Sequence, residues 1–215
     1  MSNKIKTETK ICPKCGKPMS DIGMEYWCKF CFTSESKYTH RKNMGILVIS
    51  HNMKDYFTLH NDIIRINSPW YTYEELVDTL KNEKCLKFLD INIKTRNKPK
   101  RSNIDYNVLL KLANKYKVEW VGISNVEKPE TYDKVMQVLD NRYTKVCAKI
   151  ETEMGCWHAD HIISRFDGIM VDTEDLAFDL GWTRAVEEKD RIYALCRKSN
   201  VPHFRLLGSI FKFVN

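Results

Sequence analysis

Long apolar runs are missing from this chain. Nothing approaches the ~18 consecutive apolar residues that a membrane-spanning helix requires, which excludes a helical membrane protein and any role as one. An apolar core is also absent from the opening MSNKIKTETK, so secretion is not expected. The eight cysteines are therefore read as metal ligands and core thiols, not disulfides, in a cytoplasmic, reducing setting. Blocks of like charge are lacking too. The net charge is +7, a modest attraction for nucleic acid or another polyanion, but Lys and Arg are scattered, and a solvated surface is the plainer reading. What is present is ordinary for a globule: 215 residues, 43% hydrophobic and 29% charged. That suits one medium domain with a small appendage and a sizeable core.

Residues 1–10 are polar and basic without periodicity and read as a flexible arm. Residues 11–34 hold Cys12-Pro-Lys-Cys15 and Cys28-Lys-Phe-Cys31, with 12 residues between the inner cysteines. Two C-x-x-C knuckles at this spacing let four thiolates converge tetrahedrally on Zn²⁺, and a segment this small needs such a staple to fold. Four cysteines close the coordination shell, so Cys12, Cys15, Cys28 and Cys31 predict a structural zinc ribbon, a module used for nucleic-acid and protein contacts alike. Residues 35–44 are polar and basic and read as a linker.

From residue 45 to 215 strand-like and helix-like segments alternate. Strands are expected over 45–50, 62–67, 86–93, 118–124, 146–151, 167–171 and 202–207. Helices are expected from the capping box Thr72-Tyr-Glu-Glu75, over 105–117, after Pro129 and over 183–199. Regular β/α alternation predicts parallel strands with right-handed crossovers, an α/β fold of the TIM-type (β/α) barrel kind. The count is seven strands, followed only by Gly208-Ser-Ile-Phe-Lys-Phe-Val-Asn215. An eight-stranded barrel would then be incomplete, or completed by a partner chain, with a homo-oligomer as one route.

The central stretch is 143–179. In Val146-Cys-Ala-Lys-Ile-Glu151 the period of two sends Ala148 and Ile150 to one face and Cys147, Lys149 and Glu151 to the other. If helices cover the apolar face, Lys149 and Glu151 line an interior, where unpaired charge costs several kcal/mol. The next strand, Asp167-Gly-Ile-Met-Val171, ends at Asp172, Glu174 and Asp175. Carboxylates gather where two strands finish. These segments, AKIETEMG and SRFDGIMVDTEDLAFDLG, resemble the catalytic barrel of pyruvate kinase, whose stretches read approximately KIEN-x-EG and SDGIMVARGDLG-x-E. DIIRINSPWYTYEEL, KFLDINIKTR and KSNVPHFRLL are similar to further strands of that barrel. The resemblance covers roughly 45–210 and is strong over 143–180.

At the carboxyl ends of barrel strands, Glu151 and Asp175 are hard oxygen ligands suited to Mg²⁺ or Mn²⁺. Lys149 can place its ammonium where charge builds on an enolate oxygen or a transferring phosphoryl group. The resemblance implies the same role for Lys149 and a substrate-facing role for Arg65. It also implies a monovalent cation such as K⁺ near Asn67 and Asp90. An internal salt-bridge cluster is the structural alternative.

Several family features are missing. Asp172-Thr-Glu174 stand where the family has Ala-Arg-Gly, which adds negative charge and removes the glycine through which backbone N–H groups approach substrate. The lid and C-terminal domains are lacking, and the first-strand loop has no recognisable phosphate-binding arginine. Two functions follow as expectations. One is a pyruvate-kinase-like barrel that binds a divalent cation and a small phospho- or 2-oxo acid, for enolate chemistry or phosphotransfer. The other is a catalytically retired barrel that serves with its ribbon to bind nucleic acid or protein.

Overall fold

The computed structural model describes Ile11 and residues 16–18, 20–21, 25–28, 33–36, 46–51, 63–92, 104–139 and 143–207. Cys12, Cys15 and Cys31 lie outside these residues, as do the arm at 1–10 and most of the 94–104 loop. The chain divides into two compact units, 1–44 with 57–59, and 45–56 with 60–215. In the first, β1 (Ser20–Asp21), β2 (Glu25–Cys28) and β3 (Thr33–Ser36) form an antiparallel sheet in that order.

The second unit is an α/β barrel of TIM-like kind. Its strands are β4 (Ile46–Ser50), β5 (Ile63–Asn67), β6 (Leu86–Ile91), β7 (Trp120–Ile123), β8 (Lys145–Ile150), β9 (Gly168–Val171) and β10 (His203–Leu207). They are all parallel, in chain order, and β10 pairs with β4 to close the ring. The expectation of an incomplete or partner-completed barrel is thereby corrected: seven strands close without an eighth. The reason lies in the filling. A narrower ring must hold its interior side chains without clash, and glycines on two strands make room for aromatic rings from others. A Cβ at Gly168 would stand 2.7 Å from Phe204 Cε2 and 2.9 Å from Trp120 Cζ3, and one at Gly122 would run into the Phe88 ring. Phe88 and Trp120 each meet Phe204 edge to face, at centroid distances of 5.5 and 4.6 Å. With Val48, Ile63, Cys147 and Met170 these rings form the buried core inside the barrel.

A second apolar layer lies between strands and helices, and Val146, Ala148 and Ile150 of β8 belong to it. The helices are α1 (Tyr73–Asn82), α2 (Tyr106–Lys115), α3 (Thr131–Met136), α4 (Glu153–Trp157), α5 (Ala159–Arg165), α6 (Thr173–Leu180) and α7 (Trp182–Lys198). The capping box opens α1, with Glu75 N donating to Thr72 Oγ1 at 3.2 Å and Thr72 N to Glu75 Oε2 at 2.9 Å. One turn on, Leu76 and Leu80 are fully buried, each contributing roughly 1.5–3 kcal/mol. Asp105 caps α2 through Asn107 N and Val108 N. Among the described residues no helix is long and apolar enough to cross a membrane.

The β9–β10 seam shows how the ring closes. Ile169 N donates to Pro202 O at 2.9 Å, a regular parallel rung. The next rung of a parallel ladder would run from Val171 N to Phe204 O. Instead the Tyr193 hydroxyl of α7 stands between them, accepting from Val171 N at 3.2 Å and donating to Phe204 O at 2.7 Å. One phenol thus replaces a direct strand contact and ties α7 to both strands. Tyr193→Phe should cost about 1–3 kcal/mol, the penalty for leaving a buried donor and acceptor unpaired. An unchanged urea midpoint would show that the strands simply zip together.

Candidate functional site at the barrel mouth

The inward face of each strand changes character along its length. On β5, β6, β8 and β9, Ile63, Phe88, Cys147 and Met170 lie in the apolar interior. Two residues further on, the same face carries Arg65, Asp90, Lys149 and Asp172. Strand period therefore builds an apolar floor and a charged mouth at the carboxyl ends. Glu151, one step beyond Lys149 on that face, is 2% exposed. Register sets Asn67 beside Asp90, Asp90 beside Gly122, and Lys149 beside Met170.

Asp90 is the hub. Its Oδ2 receives Arg65 Nε at 2.6 Å and Arg65 Nη2 at 2.5 Å, and lies 3.0 Å from Lys149 Nζ. Its Oδ1 accepts from Ser124 Oγ at 3.3 Å, and its backbone oxygen accepts from Ser68 Oγ at 2.8 Å. Lys149 Nζ also donates to Ser124 Oγ at 3.2 Å and stands 2.7 Å from Glu151 Oε1. That last contact is a buried ion pair, both side chains being almost wholly removed from solvent. Glu151 Oε2 is anchored by Asn125 N at 2.9 Å. Asn125 takes the left-handed conformation, φ 54°, which Asn adopts more readily than most residues.

The electrostatics follow from burial against pairing. Burial alone would raise the Asp90 carboxyl, but Arg65 and Lys149 more than offset it and hold it below the ordinary range. For Lys149 burial works against the charge, and Asp90 and Glu151 outweigh it, so the ammonium is held above its usual range. Glu151 goes the other way. Burial first, then the charges of Asp172 and Asp90, push it up to about 7 despite Lys149. A carboxyl that resists ionisation unless more positive charge arrives is suited to a cation.

Asp172 and Asp175 supply the other carboxylates. Asp172 is the N-cap of α6, accepting from Asp175 N at 3.5 Å. One carboxylate oxygen each of Glu151, Asp172 and Asp175 lies within 4.8 Å of the other two. Oxygens on opposite sides of one ion stand ~4–5 Å apart, so the three residues can converge on a single hard cation.

The structure thus gathers Arg65, Asp90, Lys149 and Glu151 into one buried network, with Asp175 beside Glu151. Asn67, expected with Asp90 at a monovalent cation, is buried, and its Oδ1 accepts no hydrogen bond from the described residues. The positive charge against Asp90 comes from the protein's own Arg65 and Lys149. Sequence reasoning missed Ser124 and Asn125, and it placed Asp172 among the gathered carboxylates and as an obstacle to anion binding without naming it a site residue. The signal for two of them was there, because Ser124 follows Gly122, and Asp172 follows Met170, by one period of two. Cys147, Cys156 and Cys196 are buried free thiols, and Cys85 is half-buried. In comparisons with known proteins, no family model matches the chain and no curated protein matches it.

Proposed function

We propose that the barrel mouth holds a divalent cation, Mg²⁺ or Mn²⁺, on Glu151 and Asp175 and receives a small phospho- or 2-oxo acid beside it, as a reduced pyruvate-kinase-like barrel. The observation that carries this reading is the meeting, at the ends of neighbouring strands, of two carboxylates within 4.8 Å and a buried ammonium 2.7 Å from one of them. The ion would polarise the carbonyl of a 2-oxo acid. Lys149 places fixed positive charge where an enolate oxygen develops, in a site shielded from water, so little reorganisation is needed when that charge forms. Arg65 adds the charge that receives the acid's carboxylate or phosphate. Asp90 orients both cations. Only the residues between Ile91 and Tyr106 separate β6 from α2, too few for a lid domain, so enolate chemistry is favoured over transfer of a phosphoryl group, which needs water excluded.

Oxalate, a mimic of the enolate, tests the substrate half of this reading. In Mn²⁺-loaded protein, oxalate should raise the melting temperature of wild type by mass action. Lys149→Met, which keeps the side-chain volume, should bind Mn²⁺ and lose the oxalate response. An equal response in both proteins, or none in wild type, would remove Lys149 from the role.

A further inference from the structure

We propose that the outer face formed by α4, α6 and the first turns of α7 is the contact surface between two copies of this chain in a symmetric dimer. The inference does not depend on the chemistry at the barrel mouth. Among the described residues the three most exposed large hydrophobic side chains are Phe178 at 78%, Trp157 at 67% and Trp182 at 56%, one on each of these helices. Helix period explains why they are left outside. α4 buries Gly155 and Cys156, so Met154 and Trp157, three apart, share its outer side. α6 buries Leu176, and Phe178, two residues on, falls on the opposite side of the helix. On α7, Trp182 and Val186 stand four apart on one exposed strip of the first turns. The three helices meet: α4 touches α6, and α6 packs on α7. Glu153 N donates to Asp179 Oδ2 at 3.4 Å, and Arg184 Nη2 pairs with Glu153 Oε1 at 2.9 Å. Met154, Phe178 and Trp182 each lie within two residues of one of those polar groups, so the exposed apolar side chains gather round a single junction.

Two arguments name a second copy as the occupant. The first is area. At the ~150–250 Å² that a whole aromatic side chain presents, the three rings expose on the order of 400 Å², and Met154 and Val186 add to it. A stable interface takes ~800 Å² from each partner, slightly over half of it apolar. This face therefore supplies the apolar share of one standard interface. The second argument is charge. Arg184 and Glu153 are each about half exposed, so the patch carries both signs at its centre. A two-fold contact sets a patch against itself, and each copy's Arg184 can then meet the other's Glu153. A partner bearing one sign of charge would gain less. Trp, Phe, Met and Arg are also the residue types enriched where proteins associate.

Sedimentation velocity of zinc-replete, full-length protein, from nanomolar to high-micromolar concentration, tests this. Wild type should sediment as a dimer in the micromolar range. Phe178→Glu and Trp157→Glu, on different helices, should each weaken the dimer about thirtyfold or more, the effect of removing a central aromatic anchor. Both positions are exposed, so far-UV circular dichroism should not change, and either variant suffices if the other fails to fold. Tyr143→Glu, which alters an exposed ring at the amino-terminal end of β8, should leave the dissociation constant within about twofold of wild type. A wild type that stays monomeric at every concentration would overturn the inference. So would a dimer that the Phe178 and Trp157 substitutions leave intact, or one that Tyr143→Glu weakens as much as they do.

Discussion

Asp90→Ala should destabilise the protein by about 3–5 kcal/mol, the cost of breaking a buried ion pair from one side. Asp90 is 0% exposed and is the shared partner of Arg65, at 2.5 and 2.6 Å, and Lys149, at 3.0 Å. Without it two buried cations face each other, with Glu151, itself reluctant to ionise, and the weaker influence of Asp172 for compensation. The Ser124 and Lys149 hydrogen bonds would lose their common acceptor as well. Since the Asp90 carboxyl is held below its ordinary range, its contribution is fully present above pH ~4 and is lost as pH falls through the lowered native value. Urea unfolding at pH 7 measures the loss. Asp90→Asn, which keeps the shape and drops the charge, provides the same comparison if the alanine variant does not fold. A loss under ~1 kcal/mol would mean that the cluster is solvated and its pairing weak.

Much of this arrangement was legible in the sequence, because strand period is a strong constraint. Alternation over 146–151 assigned Ala148 to the helix-facing layer and Lys149 to the interior, and both lie there. The capping box at Thr72 was readable because its two hydrogen bonds are local. Closure was not readable, because it depends on volumes that meet across the barrel. Nothing near Gly122 in the chain announces Phe88, and nothing near Gly168 announces Phe204. The hydroxyl of Tyr193 in the β9–β10 ladder is hidden for the same reason, since it lies on a helix and acts on two strands. Asp172 was visible as one of the carboxylates gathered at the strand ends, but its nearness to Glu151 was not. Strand period brings it to the inward face two residues after Met170, but which carboxylates it meets there depends on the packing of β8 against β9.

Glu151→Gln should abolish the loss of stability that Glu151 causes as pH rises, and should remove the response of stability to metal. In the metal-free protein the Glu151 carboxyl is pushed up to about 7, first by burial and then by Asp172 and Asp90. Its ordinary value is 4.5. Folding then favours the protonated form. No penalty exists below pH ~4.5, a penalty grows as pH rises toward 7, and above pH 7 it is complete at about 3 kcal/mol, or 1.36 kcal/mol for each unit. Gln carries no proton to lose. Metal-free Glu151→Gln should therefore match wild type at pH 5 and exceed its stability at pH 8. On the proposed reading a divalent ion would replace the proton, so wild type should bind Mn²⁺ more tightly as pH rises through 7.

The most direct test is the melting temperature of zinc-replete wild type and Glu151→Gln at pH 8, with and without saturating Mn²⁺. A divalent centre on Glu151 and Asp175 predicts that Mn²⁺ raises the wild-type value by several degrees and leaves Glu151→Gln unmoved. Equal shifts in the two proteins, or no shift in wild type, would contradict it and leave the mouth of the barrel as a buried salt-bridge network.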